Sequence, residues 1–141
     1  QRLGCQKACV LPENPASYRV VRKKSYLFNK ADPRVKTLAV QPASPFHGIE
    51  GTKHMGSSIK PGILDETLFD DVISVTTEEA YASARRLARR DGIFVGISSG
   101  ANVAAAARLA RTLPAGSVVV TLLCDVGSRY LTDPFWNETH D

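Results

Sequence analysis

Two short polar segments of the chain follow apolar runs that predict β-strands. Residues 96–100 read Gly-Ile-Ser-Ser-Gly and open an alanine-rich stretch of helical composition, and Cys124-Asp125 follows the apolar run of residues 117–123. In an open α/β sheet, ligands bind beyond the carboxyl ends of the strands. We therefore expect Ser98 and Asp125 to lie at the same edge of a sheet, where a hydroxyl and the amide dipoles of a helix could bind a polar ligand.

The role of Ser98 has three interpretations at this stage. Either Ser98 or Ser99 could cap the helix that follows. The Gly-x-Ser-x-Gly spacing is also that of the nucleophile elbow of serine hydrolases, and the order Ser98, Asp125, His140 matches their order of serine, acid and histidine. The third interpretation is that the Ser98 hydroxyl and the helix amides hold a polar cofactor.

The elements that must position these residues alternate between strand and helix. Strands are predicted at residues 35–40, 72–75, 93–95 and 117–124. The last of these is a near-continuous apolar run, typical of a central parallel strand. A helix begins after Thr76, which forms a capping box with Glu79, and ends at Asp91-Gly92; a second helix follows Gly100. This order predicts an α/β fold with a partial doubly wound, mostly parallel sheet.

The distribution of charge leaves two further hypotheses open. The 141 residues carry a net charge of +4, with eleven Lys/Arg and three acidic residues in 1–60 but seven and eleven in 61–141. Such asymmetry can mark a nucleic-acid-binding arm, or simply two surfaces of different charge. One alternative is therefore a module that binds phosphates through Arg19, Arg22, Lys23, Lys24, Lys30, Arg34 and Lys36. Another is a non-catalytic interaction protein.

Cysteine, histidine and hydropathy patterns exclude several classes of protein. Cys5, Cys9 and Cys124 are an odd, scattered set that suits a reducing compartment, so we predict a cytoplasmic protein without a disulfide framework. The three histidines are too dispersed to complete a zinc site with Cys5 and Cys9, and we predict no metal. No apolar run approaches the ~20 residues of a membrane span, so we expect no membrane partner.

Four segments in the same order share the landmarks of a known enzyme family. Residues 93–101 read IFVGISSGA and residues 124–131 read CDVGSRYL, while residues 35–42 form a strand ending in VQP and residues 48–62 run from GIEG to IKPG. The chain resembles the C-terminal portion of the cysteine synthase (O-acetylserine sulfhydrylase) family, and the cysteine at position 124 is similar to the B-type. The resemblance spans about residues 32–131 and implies the fold of the tryptophan-synthase-β-like, fold-type II pyridoxal-phosphate enzymes.

The resemblance implies pyridoxal 5′-phosphate as the cofactor and β-replacement of O-acetylserine by sulfide, or by an anionic sulfur donor, to give cysteine. It implies that the Ser98 hydroxyl hydrogen-bonds to the pyridine nitrogen, which stabilises a neutral ring and tempers the electron sink. The residues implied to line the cofactor are Gly96, Ser98, Cys124 and Asp125. The loop implied to close over the substrate comprises Gly48, Ile49, Glu50 and Gly51, with Lys53 and His54 facing the sulfur donor.

The family's Schiff-base lysine and its glycine-rich phosphate cradle have no counterpart in this sequence. The lysine belongs to a Ser-x-Lys-x-Arg segment and the cradle to a Gly-Thr-Gly-Gly-Thr loop, and neither motif occurs. We predict a divergent or rearranged N-terminal segment at 1–31 and the C-terminal part of the large domain at 32–141. The chain alone is predicted to be inactive. It would bury its sheet edges as a homodimer or by pairing with another chain.

Overall fold

The computed structural model describes residues 7–12, 32, 34–60, 62 and 64–137, which form a parallel sheet and two helices. In chain order the elements are β1 (Lys7–Pro12), β2 (Val35–Pro42), β3 (Asp71–Val75), α1 (Thr77–Asp91), α2 (Ile97–Ala110) and β4 (Val118–Thr121). The strands lie in the order β3-β2-β1-β4, and every pairing is parallel. The predicted α/β class with a parallel sheet is confirmed.

Strand β1 joins the two sides of the sheet. Its residue Cys9 aligns with Thr37 of β2 on one side and with Val120 of β4 on the other. The sequence shows here only a short apolar run that ends at Pro12. The prediction for residues 1–31 otherwise concerns positions outside the described residues.

Two strand predictions are corrected by the structure. Residues 93–95 were expected to form a buried strand, but Val95 makes a single antiparallel bridge with Val126, and Ile93 and Phe94 are exposed. Helix α1 is capped by Gly92 and helix α2 by Gly96, so the segment between them is too short to form a ladder of hydrogen bonds with another strand. The predicted central strand at 117–124 is wrong in length and position, because β4 ends at Thr121 and lies at an edge of the described sheet.

The ends of α1 follow the sequence prediction. The Glu79 backbone amide donates to Thr76 Oγ1 at 3.2 Å, and the Thr76 amide donates to Glu79 Oε2 at 2.8 Å. Gly92 takes the left-handed conformation, with φ of 67°, that ends a helix without steric cost. Both helix boundaries are therefore set by local chemistry and are confirmed.

The core lies between the sheet and the two helices. Helix α2 packs on all four strands, and α1 packs on α2. The helices approach closely at Gly100, where a Cβ atom would overlap the carbonyl oxygen of Ala80. A one-turn helix at Pro134–Trp136 inserts Phe135 into this core, and Arg85 Nη1 donates to the Phe135 carbonyl at 2.7 Å. Within the described ranges, no helix is both long and apolar enough to span a membrane.

Candidate functional site

The first turn of α2 holds the two serines in different environments. The N-cap is Gly96, and no side chain caps this helix, so the capping hypothesis for Ser98 and Ser99 is wrong. Ser99 is fully buried, and its Oγ accepts a hydrogen bond from the Cys124 amide at 2.9 Å. Ser98 is 6% exposed, and its hydroxyl makes no hydrogen bond to any residue of the described part of the chain.

The segment after β4 is fastened to α2 by a second polar side chain. Asn102 is fully buried, and its Nδ2 donates to the Leu122 carbonyl at 2.9 Å and contacts Cys124 Sγ at 3.5 Å. Its Oδ1 is buried without a partner among the described residues. Ser99 and Asn102 are three residues apart and share one helix face, so together they fix the path of residues 122–124.

Asp125 joins its own segment to the segment that contains Ser98. Its carbonyl accepts a hydrogen bond from the Gly96 amide at 3.2 Å, and its Oδ2 accepts one from the Tyr130 hydroxyl. Its Oδ1 is buried and has no partner within the described ranges. The Ser98 and Asp125 segments therefore meet at the carboxyl edge of the sheet, as expected, whereas their roles toward a ligand stay predictions.

Gly96 is required by this close approach. A Cβ atom at position 96 would overlap Asp125 Oδ1 and the ring of Tyr130. Burial, the hydrogen bond to Asp125 and the charges of Asp125 and Glu50 together raise the pKa of Tyr130 to about 12. Tyr130 therefore stays protonated at neutral pH and donates to the carboxylate.

The loop implied to cover the substrate is anchored at both ends. Ile49 is buried in the core, and the Gly48 amide donates to Thr77 Oγ1 at 2.9 Å. Met55 is also buried, and its amide donates to Gln41 Oε1 at 3.3 Å. The bridge between these anchors, residues 50–54, is exposed except at the half-buried Thr52 and His54, and it contains Gly51, whose φ of 78° is left-handed.

The remaining predicted loop residues lie on this bridge. Glu50 is exposed but close enough for its charge to raise the pKa of Tyr130. Lys53 is exposed, and His54 Nδ1 lies 2.9 Å from Ser57 Oγ. The structure thus brings Glu50 toward the Asp125 side, and no hydrogen bond joins Lys53 or His54 to the serine segment in the described part of the chain.

The alternative hypotheses gain no support from the described residues. The proposed histidine of a hydrolase, His140, lies outside them, and the Asp125 carboxylate is already engaged by Tyr130. Of the basic residues considered for phosphate binding, Arg34 is paired with Asp32 and Lys36 with Asp70, and the others lie outside the described ranges. No group of three metal-ligating side chains occurs in the residues described.

Comparison with known proteins identifies the family of the chain. The family described as "Pyridoxal-phosphate dependent enzyme" matches residues 23–125. The chain belongs to this family. It is 52% identical over 110 residues to a cysteine synthase of Aquifex aeolicus, and 41% identical over 92 residues to cysteine synthase B of Salmonella typhimurium. These alignments cover 76% and 65% of this chain but 34% and 30% of the relatives, so the chain spans about a third of their length.

The fold agrees with the same family. The crystal structure of an O-ureido-L-serine synthase superposes with a TM-score of 0.84 at 29% identity, covering 96% of this chain and 44% of that one. Pyridoxal phosphate is the cofactor that the family name states. The predicted resemblance to cysteine synthases is confirmed, and so is the fold of the tryptophan-synthase-β-like enzymes.

The described residues fit one end of this cofactor. Ser98 presents a nearly buried hydroxyl without a described partner in the first turn of a helix, which suits the single acceptor nitrogen of a pyridine ring. The lysines with described side-chain environments are engaged or distant: Lys36 pairs with Asp70, Lys60 pairs with Glu66, and Lys53 lies on the exposed loop bridge. The described residues fit the ring-nitrogen end and offer no lysine for a covalent anchor.

Sequence reasoning missed the residues that position the site. Asn102 and Tyr130 were not singled out, although each forms a hydrogen bond that shapes the edge. Asn102 lies in an alanine-rich helix, where a lone amide is a usable signal for a buried polar contact. For Tyr130 no comparable signal existed, because its partner depends on the turn at Gly127–Tyr130.

Proposed function

We propose that this chain supplies the ring-nitrogen side of the cofactor site of a cysteine synthase. The proposed reaction replaces the acetoxy group of O-acetylserine, which leaves as acetate, with sulfide to give cysteine; an anionic sulfur donor in place of sulfide would give the corresponding S-substituted cysteine. The observation that supports it best is the hydroxyl of Ser98, which is nearly buried yet has no described partner, at the N-terminus of a helix in a family that uses pyridoxal phosphate.

Ser98 would donate a hydrogen bond from its hydroxyl to the pyridine nitrogen, which would stay unprotonated and without a full positive charge. When bound, the cofactor supplies an electron sink for elimination and replacement at the β-carbon of an amino acid. Ser99 and Asn102 hold the segment 122–124, and from there Cys124 and the neighbouring Asp125 would line the cofactor. Gly96 allows the close approach that this arrangement requires.

The loop of residues 48–55 supports the part of the proposal that concerns substrate binding and the sulfur donor. Because Ile49 and Met55 are buried anchors, we expect the bridge 50–54 to be the part that moves when a substrate binds. The bridge carries Lys53 and His54, and the charge of Lys53 would attract an anionic sulfur donor in the closed state. The lysine that bonds to the cofactor and the phosphate cradle would come from the upstream portion of the fold.

The function is tested in a chimera. The aligned 110 residues of the A. aeolicus cysteine synthase are exchanged for those of this chain, and cysteine formation from O-acetylserine and sulfide is measured. We expect activity in the chimera. We expect Ser98→Ala to lower it roughly 2- to 10-fold, because a hydrogen bond between uncharged groups, worth about 0.5–1.5 kcal/mol, is lost.

Two controls separate a role at the cofactor from a role in folding. Ser98→Thr keeps a hydroxyl and should restore most of the activity. The visible absorption spectrum of the bound cofactor should change in Ser98→Ala and return in Ser98→Thr. A Ser98→Ala chimera with the parent's activity and spectrum would contradict the proposal.

A further inference from the structure

The loop of residues 48–55 is held at its first residue by helix α1. The Gly48 amide donates to Thr77 Oγ1 at 2.9 Å, and the Tyr81 hydroxyl donates to the Gly48 carbonyl at 3.4 Å. A Cβ atom at position 48 would overlap the Tyr81 hydroxyl, so glycine lets the loop approach the helix this closely. The start of α1 therefore forms a seat for the upstream end of the loop.

The hydroxyl of Thr77 is not needed to cap its own helix. Thr77 is the first residue of α1, and the capping box is already complete between the preceding Thr76 and Glu79. Threonine is also a weak helix former, because its branched side chain loses rotamer freedom in a helix. The residue type at position 77 is therefore better explained by its bond to the loop than by the helix.

The last residue of the loop is connected to the same junction between β3 and α1. The Met55 amide donates to Gln41 Oε1 at 3.3 Å, and Gln41 Nε2 donates to Ser74 Oγ at 3.3 Å. Ser74 lies only three positions before Thr77. Both ends of the loop are thus connected to one short segment, residues 74–77, which we call the loop base.

The loop base is itself fixed to the core. Val75 is fully buried, and its carbonyl accepts a hydrogen bond from the Ala43 amide at 2.8 Å. Arg108 of α2 donates to the Ser74 carbonyl and pairs with Glu79 of α1 at 3.2 Å. Compact surface loops whose ends lie close together are frequently functional. A loop mounted on one rigid segment can move its middle while its ends keep their places.

We propose that Thr77 is a positioning residue for the substrate: its hydroxyl holds Gly48 on the loop base, so that residues 50–54 close over the site from a fixed origin. The proposal rests on the proposed function, because that function assigns the loop to the substrate. Thr77 acts through the loop and is not a catalytic residue. If Gly48 were released, more of the loop would have to be ordered when substrate binds, and the cost in conformational entropy would weaken binding.

The first measurement is hydrogen exchange of the Gly48 amide in the full chain. Thr77→Val keeps the β-branched shape but has no acceptor, and it should accelerate this exchange roughly 2- to 10-fold, the range for a lost hydrogen bond between uncharged groups. Thr77→Ser keeps the hydroxyl and should stay within about twofold of the parent. Thr112→Val is the matched control, because it removes a threonine hydroxyl that donates to the Leu109 carbonyl at the end of α2. It should leave the exchange of Gly48 unchanged.

The second measurement is the steady-state kinetics of the chimera described above. Thr77→Val should raise the KM for O-acetylserine roughly 2- to 10-fold and change kcat less, because the loop contributes to holding the substrate. Thr77→Ser should restore the KM. The visible spectrum of the bound cofactor without substrate should stay that of the parent, which separates this effect from the one expected at Ser98.

The outcomes separate the role of Thr77 from the proposed function. Faster exchange confined to the loop in Thr77→Val, and restored in Thr77→Ser, supports the proposal. Unchanged exchange in Thr77→Val, equally fast exchange in Thr77→Ser, or equal acceleration of the slowest-exchanging amides of β2 would each overturn it. An active chimera whose KM does not respond to Thr77→Val would also overturn it. An inactive parent chimera counts against the proposed function, whereas the exchange pattern still decides whether Thr77 holds the loop.

Discussion

The Ser99 hydroxyl accepts a hydrogen bond from the Cys124 amide at 2.9 Å, across 25 positions of sequence. The bond ties the first turn of α2 to the chain segment that leaves β4. It leaves the neighbouring hydroxyl of Ser98 as the one of the two serines without a described partner. Of two adjacent serines, Ser99 thus holds the site together, and Ser98 is the one that we propose to face a ligand.

This division predicts different effects on stability for two otherwise matched variants. Ser99→Ala removes the side-chain acceptor of the Cys124 amide, which should lower the free energy of unfolding by about 1–3 kcal/mol. Ser98→Ala removes a hydroxyl without a described partner and should cost well under about 1 kcal/mol. Urea unfolding of the whole chain measures both. Equal losses would show that the Ser98 hydroxyl also serves the fold.

Gly96 gives a second prediction, about the close approach of Asp125 and Tyr130. Gly96→Ala would push a methyl group into both side chains, and overpacking of this kind costs about 1–3 kcal/mol. Gly62→Ala is the matched control, since nothing lies within 4 Å of the added atom. It should be neutral or stabilise by roughly 0.4–1 kcal/mol through the unfolded state. A Gly96→Ala variant as stable as Gly62→Ala would refute the crowding argument.

The parts of the fold that the sequence predicts are those decided by neighbouring residues. Thr76 and Glu79 satisfy each other's amides within one helical turn, and Gly92 adopts the backbone angle that ends the helix. The meeting of the Ser98 and Asp125 segments was also expected, although the strand assumed at residues 93–95 is only a single antiparallel bridge between Val95 and Val126.

The parts that escaped prediction depend on partners distant in sequence. The position of β4 depends on which strands lie beside it, and its composition describes a fully covered strand. Asn102 and Tyr130 acquire their roles from Leu122 and Asp125, whose placement follows from the tertiary fold. The residue types along the sequence do not show which distant residues will pair in the fold.

Tyr130 provides a spectroscopic prediction. With its pKa raised to about 12 by burial and by Asp125, its stabilising contribution is complete below its unfolded pKa near 10 and is lost as pH rises toward 12. Asp125→Asn removes the negative charge and should move the pKa of Tyr130 down toward 10. Tyrosinate absorbance measures the titration, and Tyr130→Phe identifies which of the four tyrosines is responsible. An unchanged late transition in Asp125→Asn would show that burial alone raises the pKa.

The hydrogen bond that His47 accepts predicts that acid destabilises the start of the loop. The Ile49 amide donates to His47 Nδ1 at 3.2 Å, which requires a neutral ring. Burial lowers the pKa of His47, and the charge of His54 lowers it further. The contribution to stability is therefore complete above the unfolded pKa of about 6.5 and is lost as pH falls through the lower folded pKa.

The measurement is the free energy of unfolding between about pH 7.5 and about pH 5.5, a range in which histidine changes charge. His47→Asn keeps a side-chain acceptor for the amide two residues on but cannot titrate there, so it should remove part of the pH dependence. Asp70 does not interfere: burial raises the pKa of its carboxyl, but hydrogen bonds from Thr37 and Lys36 outweigh this and place it below its usual range. His54→Gln is the control for the neighbouring charge. If His47→Asn and the parent lose equal stability on acidification, the ring of His47 is not the group that titrates.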